Sequence, residues 1–327
     1  MTESRVIQMR DALNEALREE MQRDPTVILL GEDIGKNWNG AFKVTKGLEL
    51  EFGPERVRDT PISENAIIGC GVGLAMTGFR PVCEIMFGDL ITLAMDQIVN
   101  QAAKMRYMFG GKAKVPIVIR TPWGAGGSYA AHHSSSYEAW FMHVPGLRIA
   151  IPSTPYDAKG LLKTAIRLDD PVMFFEQKFL YNTKQEVPAE EYTVPFGVAD
   201  IKRKGDDVTI VATAKMVVYS LEAAKILEKE GISVEVVDPR TLNPLDEKAI
   251  VNSVKKTSRL VVVHEASNRG GISGELIKVA INGAFYHLDA PPITVGGKDC
   301  HLAFSPVLEK FHCPTVNDIV TAVRSIV

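Results

Sequence analysis

The sequence has few cysteines, and their spacing forms no recognisable pair. Four are present in 327 residues, and none belongs to a Cys-x-x-Cys motif; they are Cys70, Cys83, Cys300 and Cys313. The first two stand in apolar stretches, where we expect a free thiol to behave as a small hydrophobe. This usage of cysteine fits a reducing compartment best.

Long hydrophobic runs and an excess of charge are also missing. No run approaches the 18 apolar residues of a membrane-spanning helix, and Met1–Arg5 lacks the charged-then-apolar pattern of a signal peptide. The formal net charge is −3 and the basic residues are scattered, so nothing favours a nucleic acid or an anionic membrane as partner. We therefore expect a soluble, cytoplasmic protein that binds neither.

The order of apolar patterns predicts two α/β domains. A chain of 327 residues exceeds the roughly 250 to 300 at which single cores stop growing. Helical patterns alternate with short β-branched runs, which favours parallel strands joined by crossover helices. An opening helix has Met9, Leu13, Leu17 and Met21 on one face. The first predicted strands are Val27–Leu30, Val82–Met86, Val115–Arg120, Leu147–Ile151 and Val172–Phe175.

A polar, proline-containing segment from about Tyr181 to Asp207 interrupts this alternation, and we interpret it as a linker or interdomain arm. Strand and helix patterns then resume. The later elements are strands at Val208–Ala212, Val234–Val237 and Leu260–Val263, with helices near Val217–Glu230 and Glu247–Lys255. The predicted fold class is therefore α/β, with two doubly wound domains and mostly parallel sheets.

Three glycine clusters could suggest a nucleotide site, but their context argues against one. Gly69–Gly73 lies within an apolar helix pattern, and no Gly-Lys-Ser or Gly-Lys-Thr triplet follows any cluster. Close helix packing explains the first cluster better, while Gly124–Gly127 and Gly270–Gly271 are typical of a tight turn and a helix entry. A nucleotide- or flavin-binding module therefore remains only a remote alternative.

The segment Asp59–Glu64 offers a carboxyl group after a predicted strand, where open parallel sheets bind ligands. Ile62 and the apolar residues that follow Glu64 predict an apolar environment, in which an unpaired carboxylate is costly. Such a group requires a hydrogen-bonding partner. The structural alternative is a first-turn glutamate favoured by the helix dipole behind an N-cap at Ser63.

The segment Tyr129–Ser134 offers His132 and His133 after a glycine-rich loop. Either histidine can instead be a loop residue bonded to backbone or solvent. Adjacent histidines lack the four-residue spacing of the helical zinc motif, and no cysteine or carboxylate cluster stands nearby in sequence. We therefore expect no metal ligation by this pair.

Taken together, the motifs resemble a known family over nearly the whole chain. The chain resembles β subunits of the thiamine diphosphate-dependent component of 2-oxo acid dehydrogenase complexes, a family that covers pyruvate, branched-chain 2-oxo acid and acetoin dehydrogenases. The matching motifs are Leu30–Asp33, Asp59–Glu64, Met105–Tyr107, His133–Ser134, Pro152–Leu162, Asp170–Val172 and Asp238–Leu242.

The resemblance implies a pyrimidine-type thiamine diphosphate-binding domain at residues 1–190 and a transketolase C-terminal-like domain at 191–327. Glu64 falls on the glutamate that activates the cofactor by a hydrogen bond to the pyrimidine N1′, which favours the imino tautomer needed to deprotonate the thiazolium carbon. His133 falls on an active-site histidine that orients the lipoyl group and assists proton transfer. The usual His-Ser-Gln is His-Ser-Ser here.

Three further residues are assigned to the cofactor site by the resemblance. Met86 and Leu90 fall where relatives place side chains against the pyrimidine ring, and Ile62 is grouped with them. Branched-chain enzymes more often have glutamine and tyrosine at the first two positions, so the apolar pair weakens that interpretation.

The sequence lacks the motif that holds Mg²⁺ in this family. In this family Mg²⁺ and the diphosphate are held by Gly-Asp-Gly, whereas this sequence has only a partial match in Gly88-Asp89-Leu90. The resemblance therefore implies a separate α subunit that holds Mg²⁺, an active site shared between the chains, and an α2β2 heterotetramer with a β–β contact.

The resemblance also implies a reaction. The substrate is cleaved next to its carbonyl group, and the acyl unit passes to the lipoyl group of an acyltransferase. Met105–Lys114 and Thr164–Arg167 are most similar to acetoin dehydrogenase β subunits. We therefore expect acetoin as substrate, with pyruvate or a branched-chain 2-oxo acid as the alternative.

Overall fold

The computed structural model describes residues 4–327, which form three β-sheets surrounded by helices. The strands are β1 (Ser4–Gln8), β2 (Val27–Gly31), β3 (Val57–Asp59), β4 (Arg80–Glu84), β5 (Val118–Trp123), β6 (Arg148–Ala150), β7 (Val172–Gln177), β8 (Lys184–Pro188), β9 (Asp200–Arg203), β10 (Val208–Ala212), β11 (Val234–Asp238), β12 (Thr241–Asn243), β13 (Leu260–Ser267) and β14 (Ile293–Gly297).

The helices separate most of the strands along the chain, as expected for an α/β protein. They are α1 (Met9–Arg23), α2 (Leu48–Phe52), α3 (Glu64–Met76), α4 (Ala103–Met108), α5 (Glu138–Met142), α6 (Pro155–Arg167), α7 (Lys215–Glu228), α8 (Glu247–Thr257), α9 (Ser273–Ala284), α10 (Pro306–His312) and α11 (Val316–Arg324). Short 3₁₀ helices cover Gly88–Ala94, Lys178–Asn182 and Phe285–His287, and a π-helix covers Gln97–Ala102.

The first sheet has seven strands in the order β12-β6-β7-β5-β4-β2-β3, all parallel except β12. Its central strands are buried on both faces, which explains their continuous apolar sequence. The predicted strand at Val115–Arg120 begins instead at Val118, since Pro116 has no N–H to donate to a neighbouring strand.

The second sheet has five strands in the order β14-β13-β10-β11-β9, with only β9 antiparallel. The strands and helices predicted after residue 207 are present, with bounds shifted by a few residues. The predicted fold class, α/β with two doubly wound domains and mostly parallel sheets, is confirmed. One strand connects the two sheets: β12 follows β11 of the second sheet in sequence but pairs with β6 of the first sheet.

The segment between the sheets is more ordered than a linker. Within residues 181–207, β8 pairs with β1 in a separate two-stranded sheet, and β9 forms the edge of the second sheet. β8 is mostly solvent-exposed and β9 is mostly half-buried, so both strands carry polar residues. The apolar runs that reveal buried strands are therefore missing from their sequence.

Close packing explains Gly71 of the glycine cluster in α3, as predicted, but not Gly73, where a Cβ atom would meet nothing within 4 Å. A Cβ atom at Gly71 would lie 2.5 Å from Cys83 Sγ and 2.7 Å from Ile117 Cδ1, so a larger side chain does not fit. Cys83 is buried, and burial raises its thiol pKa. The expectation for Cys70 is wrong, because its side chain lies on the exposed face of the helix.

A buried charge cluster joins α6 to the second sheet. The Asp157 carboxylate accepts hydrogen bonds from Lys202 Nζ at 2.5 Å and from Arg240 Nη1 at 3.0 Å. Burial opposes ionisation of Asp157, but Lys202 and Arg240 lower the pKa of its carboxyl below the ordinary value. These contacts hold the two parts of the chain in a fixed relation.

Candidate active site at the edge of the seven-stranded sheet

The candidate residues follow strands whose carboxyl ends share one edge of the first sheet. Gly31 pairs with Asp59 and with Glu84, and Glu84 pairs with Arg120, so β2, β3, β4 and β5 end side by side. Segments that leave these ends carry all the predicted site residues. The edge is where ligands bind in open α/β sheets.

Glu64 is the first residue of α3 and is only 7% exposed. Ile67 and Ile68 pack behind it in the core, and the Ser63 side chain does not cap the helix. Among residues 4–327, no group donates a hydrogen bond to its carboxylate. The carboxylate oxygens are not enclosed by the chain, so solvent or a ligand N–H can reach them from the open side of the edge.

A second carboxyl group, that of Glu32, lies close to Glu64 where β2 ends. Burial raises the Glu32 pKa, and the neighbouring charges of Asp33 and Glu64 raise it further. This concentration of acid groups at one edge favours a ligand that brings hydrogen-bond donors or positive charge.

The apolar environment expected around Glu64 is present on one side only. Ile62 is 76% exposed and Ala66 is exposed as well, so neither encloses the carboxylate within this chain. The expectation that they would do so is wrong for the single chain. The edge of the sheet is open at the Ile62 side, where a ligand or another chain can approach.

Met86 and Leu90 lie in the segment that follows β4, between the positions of Glu64 and His133 along the edge. Both are half-buried, and Leu90 belongs to the 3₁₀ helix Gly88–Ala94. That helix packs against α3, the helix that begins with Glu64. Asp89, from the partial Gly-Asp-Gly match, accepts a hydrogen bond from Ser135 N at 3.2 Å.

His133 lies in a loop, residues 124–135, that follows β5 and returns to its starting point. The loop is closed by a hydrogen bond from Gly124 N to Ser135 O, 3.3 Å long. The His133 ring meets the Phe87 ring edge to face, with 4.5 Å between centroids. Phe87 follows β4 one residue after Met86, so this contact brings the histidine to the Met86 segment. His132 is exposed.

Lys178, which the sequence analysis missed, follows β7 directly and contacts His133. Its Nζ donates to the His133 carbonyl and lies 5.2 Å from the ring centroids of both Phe87 and Tyr129. Burial lowers its pKa to about 8, although the carboxylates of Asp89, Glu265 and Glu309 act in the opposite direction. Its position directly after a strand of the shared edge was the available signal.

A buried ion cluster fixes the strand ends beneath these residues. Arg120 donates to Glu84 at 2.6 Å and, through two nitrogens, to Glu176 at 2.7 Å. Burial opposes the charge on Arg120, but Glu176 and Glu84 raise its pKa overall. Tyr181 completes the cluster by donating to Glu176 at 2.7 Å.

A cavity of about 550 Å³ opens beside the loop that carries His133. Three cationic side chains line it, those of Arg10, Lys43 and Lys178, together with the aromatic rings of Phe42 and Tyr129. The volume lies in the range of small-molecule sites.

Neither a metal centre nor a membrane-crossing helix is found in the described part of the chain. Across residues 4–327, no group of three or more histidine, cysteine, aspartate or glutamate side chains could hold a metal ion. Every helix formed by these residues is too short or too polar to cross a bilayer.

Comparison with known proteins identifies the two parts of this architecture. Residues 5–184 match the transketolase pyrimidine binding domain, and residues 197–319 match the transketolase C-terminal domain. A solved structure described as a split gene transketolase, inactive beta4 tetramer, superposes with a TM-score of 0.79 at 27% identity, covering 98% of each chain. The fold is that of a transketolase-like protein.

The curated relatives define the family more narrowly. The chain is 49% identical to the β subunit of acetoin:2,6-dichlorophenolindophenol oxidoreductase of Bacillus subtilis, covering 97% of this chain and 96% of that one. It is 46% identical to the 2-oxoisovalerate dehydrogenase β subunit of the same organism, covering 97% of both. It is also 46% identical to a mitochondrial pyruvate dehydrogenase E1 β subunit of rice, covering 97% and 85%. The chain belongs to the family of transketolase-like dehydrogenase β subunits, and the resemblance found in the sequence is confirmed.

Proposed function

We propose that this chain is the β subunit of a thiamine diphosphate-dependent dehydrogenase component and that it shares its active site with an α subunit. The observation that carries the proposal is the Glu64 carboxylate, which is nearly buried, has no donor among residues 4–327, and lies at the ligand-binding edge of the sheet. The names of the relatives support the same class of enzyme.

The described residues fit the aminopyrimidine end of the cofactor. When bound, thiamine diphosphate supplies an electron sink for cleavage of the bond next to a substrate carbonyl. Glu64 would hold a proton at the ring nitrogen N1′, with the buried Ile67 and Ile68 following it in α3. Met86, Leu90 and Ile62 offer apolar surface to the ring.

His133 serves the later transfer to a lipoyl group. The Phe87 contact and the Lys178 hydrogen bond hold its ring and backbone, so the imidazole can orient the incoming group and move a proton. Lys178, with its pKa of about 8, changes charge in the range where activity is usually assayed.

The α subunit and the metal are part of the proposal. Mg²⁺ and the diphosphate belong to the α chain in our account, because this sequence has no Gly-Asp-Gly motif. Exposed apolar side chains near Glu64, at Ile62 and Leu93, provide surface that an α chain would cover. The assembly proposed is α2β2, acting with a lipoyl-bearing acyltransferase.

Acetoin is the proposed substrate, and pyruvate or a branched-chain 2-oxo acid is the second candidate. The acetoin enzyme of Bacillus subtilis has the highest identity of the three relatives compared, but the difference from the other two is only 49% against 46%. Substrate choice also depends on side chains of the α subunit, which this chain does not contain.

Reconstitution tests the proposal. The chain is co-produced with the α subunit of the same organism and assayed with thiamine diphosphate and Mg²⁺ on acetoin, pyruvate and 3-methyl-2-oxobutanoate. We expect an α2β2 particle that turns over acetoin fastest and needs both chains. Turnover by this chain alone, or a flavin copurifying with it, would contradict the proposal.

A further inference from the structure

A carboxylate from the C-terminal part of the chain binds the loop that carries His133. Glu309 of α10 is 6% exposed, and its Oε1 accepts a hydrogen bond from Gly126 N at 2.9 Å. Ser128 N is 3.1 Å from both carboxylate oxygens, and Ser128 Oγ is 3.3 Å from Oε2. Nothing in the catalytic proposal above uses this residue.

The backbone of the loop is shaped to receive an anion. Positive φ angles occur at alternate residues, Gly124, Gly126, Ser128 and Ala130, with values of 83°, 118°, 56° and 61°. The N–H groups of Gly126 and Ser128 converge on one side of the loop and form a concave anion site. Here the anion is the side chain of Glu309.

Two of these positions carry side chains that disfavour the conformation. Ser128 and Ala130 are not glycine, so their positive φ angles cost free energy unless other contacts compensate. The bonds to Glu309 compensate at Ser128. A second carboxylate, Glu265 of β13, accepts from Ala125 N at the start of the loop.

We propose that Glu309 is a positioning residue for His133. The inference rests on the proposed role of His133, because Glu309 contacts the loop and not the histidine itself. A hydrogen bond between Gly124 and Ser135 joins the ends of the loop. Glu309 binds the loop at Gly126 and Ser128, and Lys178 binds it at the His133 carbonyl. Without the Glu309 contact, the loop can shift and move the His133 imidazole out of the position that acyl transfer to a lipoyl group requires.

The first test measures the loop directly in the assembled heterotetramer. Glu309→Met keeps the length of the side chain but removes both carboxylate acceptors, and Glu309→Ala removes the acceptors and the length together. We expect hydrogen exchange at the amides of Gly126 and Ser128 to accelerate about tenfold or more in both variants. Glu247→Gln, at an exposed glutamate of α8, is the control that leaves exchange unchanged. Unchanged exchange in the Glu309 variants would overturn the proposal.

The second test asks whether the effect acts through His133. In the wild-type background we expect Glu309→Ala to slow transfer to a lipoyl domain about 10- to 100-fold, with partial recovery in Glu309→Asp. In a His133→Ala background we expect the same substitution to cost almost nothing more. If the loss in the double variant equals the product of the two single losses, Glu309 acts independently of His133 and the proposal is overturned.

These two tests separate this inference from the proposed function. If the wild-type assembly turns over none of the substrates, the function fails, whereas the exchange measurement still decides whether Glu309 holds the loop. If Glu309→Ala does not assemble, Glu309→Met gives the decisive comparison, since it keeps the length of the side chain and has no acceptor oxygen.

Discussion

Arg120 and Glu64 are buried charged residues near the same sheet edge, but only Arg120 has partners within the chain. Its guanidinium bonds to two carboxylates, Glu84 and Glu176, whereas Glu64 has no donor among residues 4–327. A buried charge that is fully paired stabilises a particular conformation, whereas the Glu64 carboxylate lies at the open edge of the sheet with oxygens that a ligand can reach. The two residues therefore have different functions, and different experiments test them.

Substitution of Arg120 by methionine leaves Glu84 and Glu176 buried together without their shared cation. Breaking a buried ion pair by removing one partner typically costs about 3 to 5 kcal/mol. We expect a loss of that order in the free energy of unfolding, measured as a lower thermal midpoint of the assembled protein. Arg58→Met is the control, because the Arg58–Glu55 pair is exposed and contributes little. Similar midpoints in both variants would show that the cluster does not stabilise the fold.

His133→Ala separates the two halves of the proposed reaction. We expect activity with an artificial electron acceptor to be largely kept and transfer to a lipoyl domain to fall about 100-fold or more, because His133 assists only the transfer. His132→Ala is the matched control from the same loop, and its side chain is exposed. Equal losses in the two assays for His133→Ala would remove the proposed role.

At the scale of elements, the short helix α5 begins with a carboxyl group that the fold has buried. Glu138 is the first residue of α5, and neither of its carboxylate oxygens has a hydrogen-bond partner within residues 4–327. A helix N-terminus favours a negative charge, but burial outweighs it and raises the Glu138 pKa to about 7. The nearby Glu265 carboxylate adds to the effect.

This raised pKa predicts a pH dependence of stability. Between the ordinary value of 4.5 and about 7, the folded state binds the Glu138 proton while the unfolded state has lost it. The free energy of unfolding therefore falls as pH rises through this window and levels off above it, by an amount on the order of 3 kcal/mol. Glu138→Gln removes this contribution. We therefore expect the thermal midpoint of the variant, relative to that of the wild type, to rise between pH 5.5 and pH 8.

Glu247→Gln supplies the comparison for the pH series, because Glu247 also opens a helix but is exposed. Its difference from wild type should stay constant across the same range. A constant difference for Glu138→Gln as well would mean that the Glu138 carboxyl titrates normally in the folded protein.

Elements with a buried apolar pattern could be predicted from the sequence, and elements without one could not. The helix face of Met9, Leu13 and Leu17 and the strand at Val27 are in place because burial in the core determines both residue type and structure. Strands β8 and β9 were missed since their polar residues are stabilised by pairing with β1 and β11. Pairing partners distant in sequence leave no local pattern.

The candidate site shows the same division. Glu64 and His133 stand in motifs that a sequence displays, so both could be proposed before the structure. Glu265 and Glu309 could not, because they reach the His133 loop from 140 and 183 residues away in sequence, and Lys178 was marked only by its position directly after β7. Their importance depends on tertiary contacts.

At the scale of the whole molecule, the C-terminal part contributes directly to the candidate site. Glu309 and Glu265 reach into the loop after β5, while Arg240 and Lys202 bind Asp157 of α6. The second sheet therefore fixes the geometry of residues that belong to the first. This arrangement explains why the two parts occur together over the full length of the relatives.

The molecule also leaves one side of its site open. Ile62 is exposed beside Glu64, and the sequence has no Gly-Asp-Gly motif; in the proposed function a second kind of chain completes the site. The central claim is that Glu64 of this chain activates a cofactor whose diphosphate is held by an α subunit.

The most direct test is the rate of deuterium exchange at the thiazolium C2 position of thiamine diphosphate bound to the reconstituted heterotetramer. We predict that Glu64→Gln slows this exchange about 100- to 10,000-fold while the cofactor remains bound, because glutamine cannot share the N1′ proton. Exchange at the wild-type rate, with full cofactor occupancy in the variant, would contradict the account.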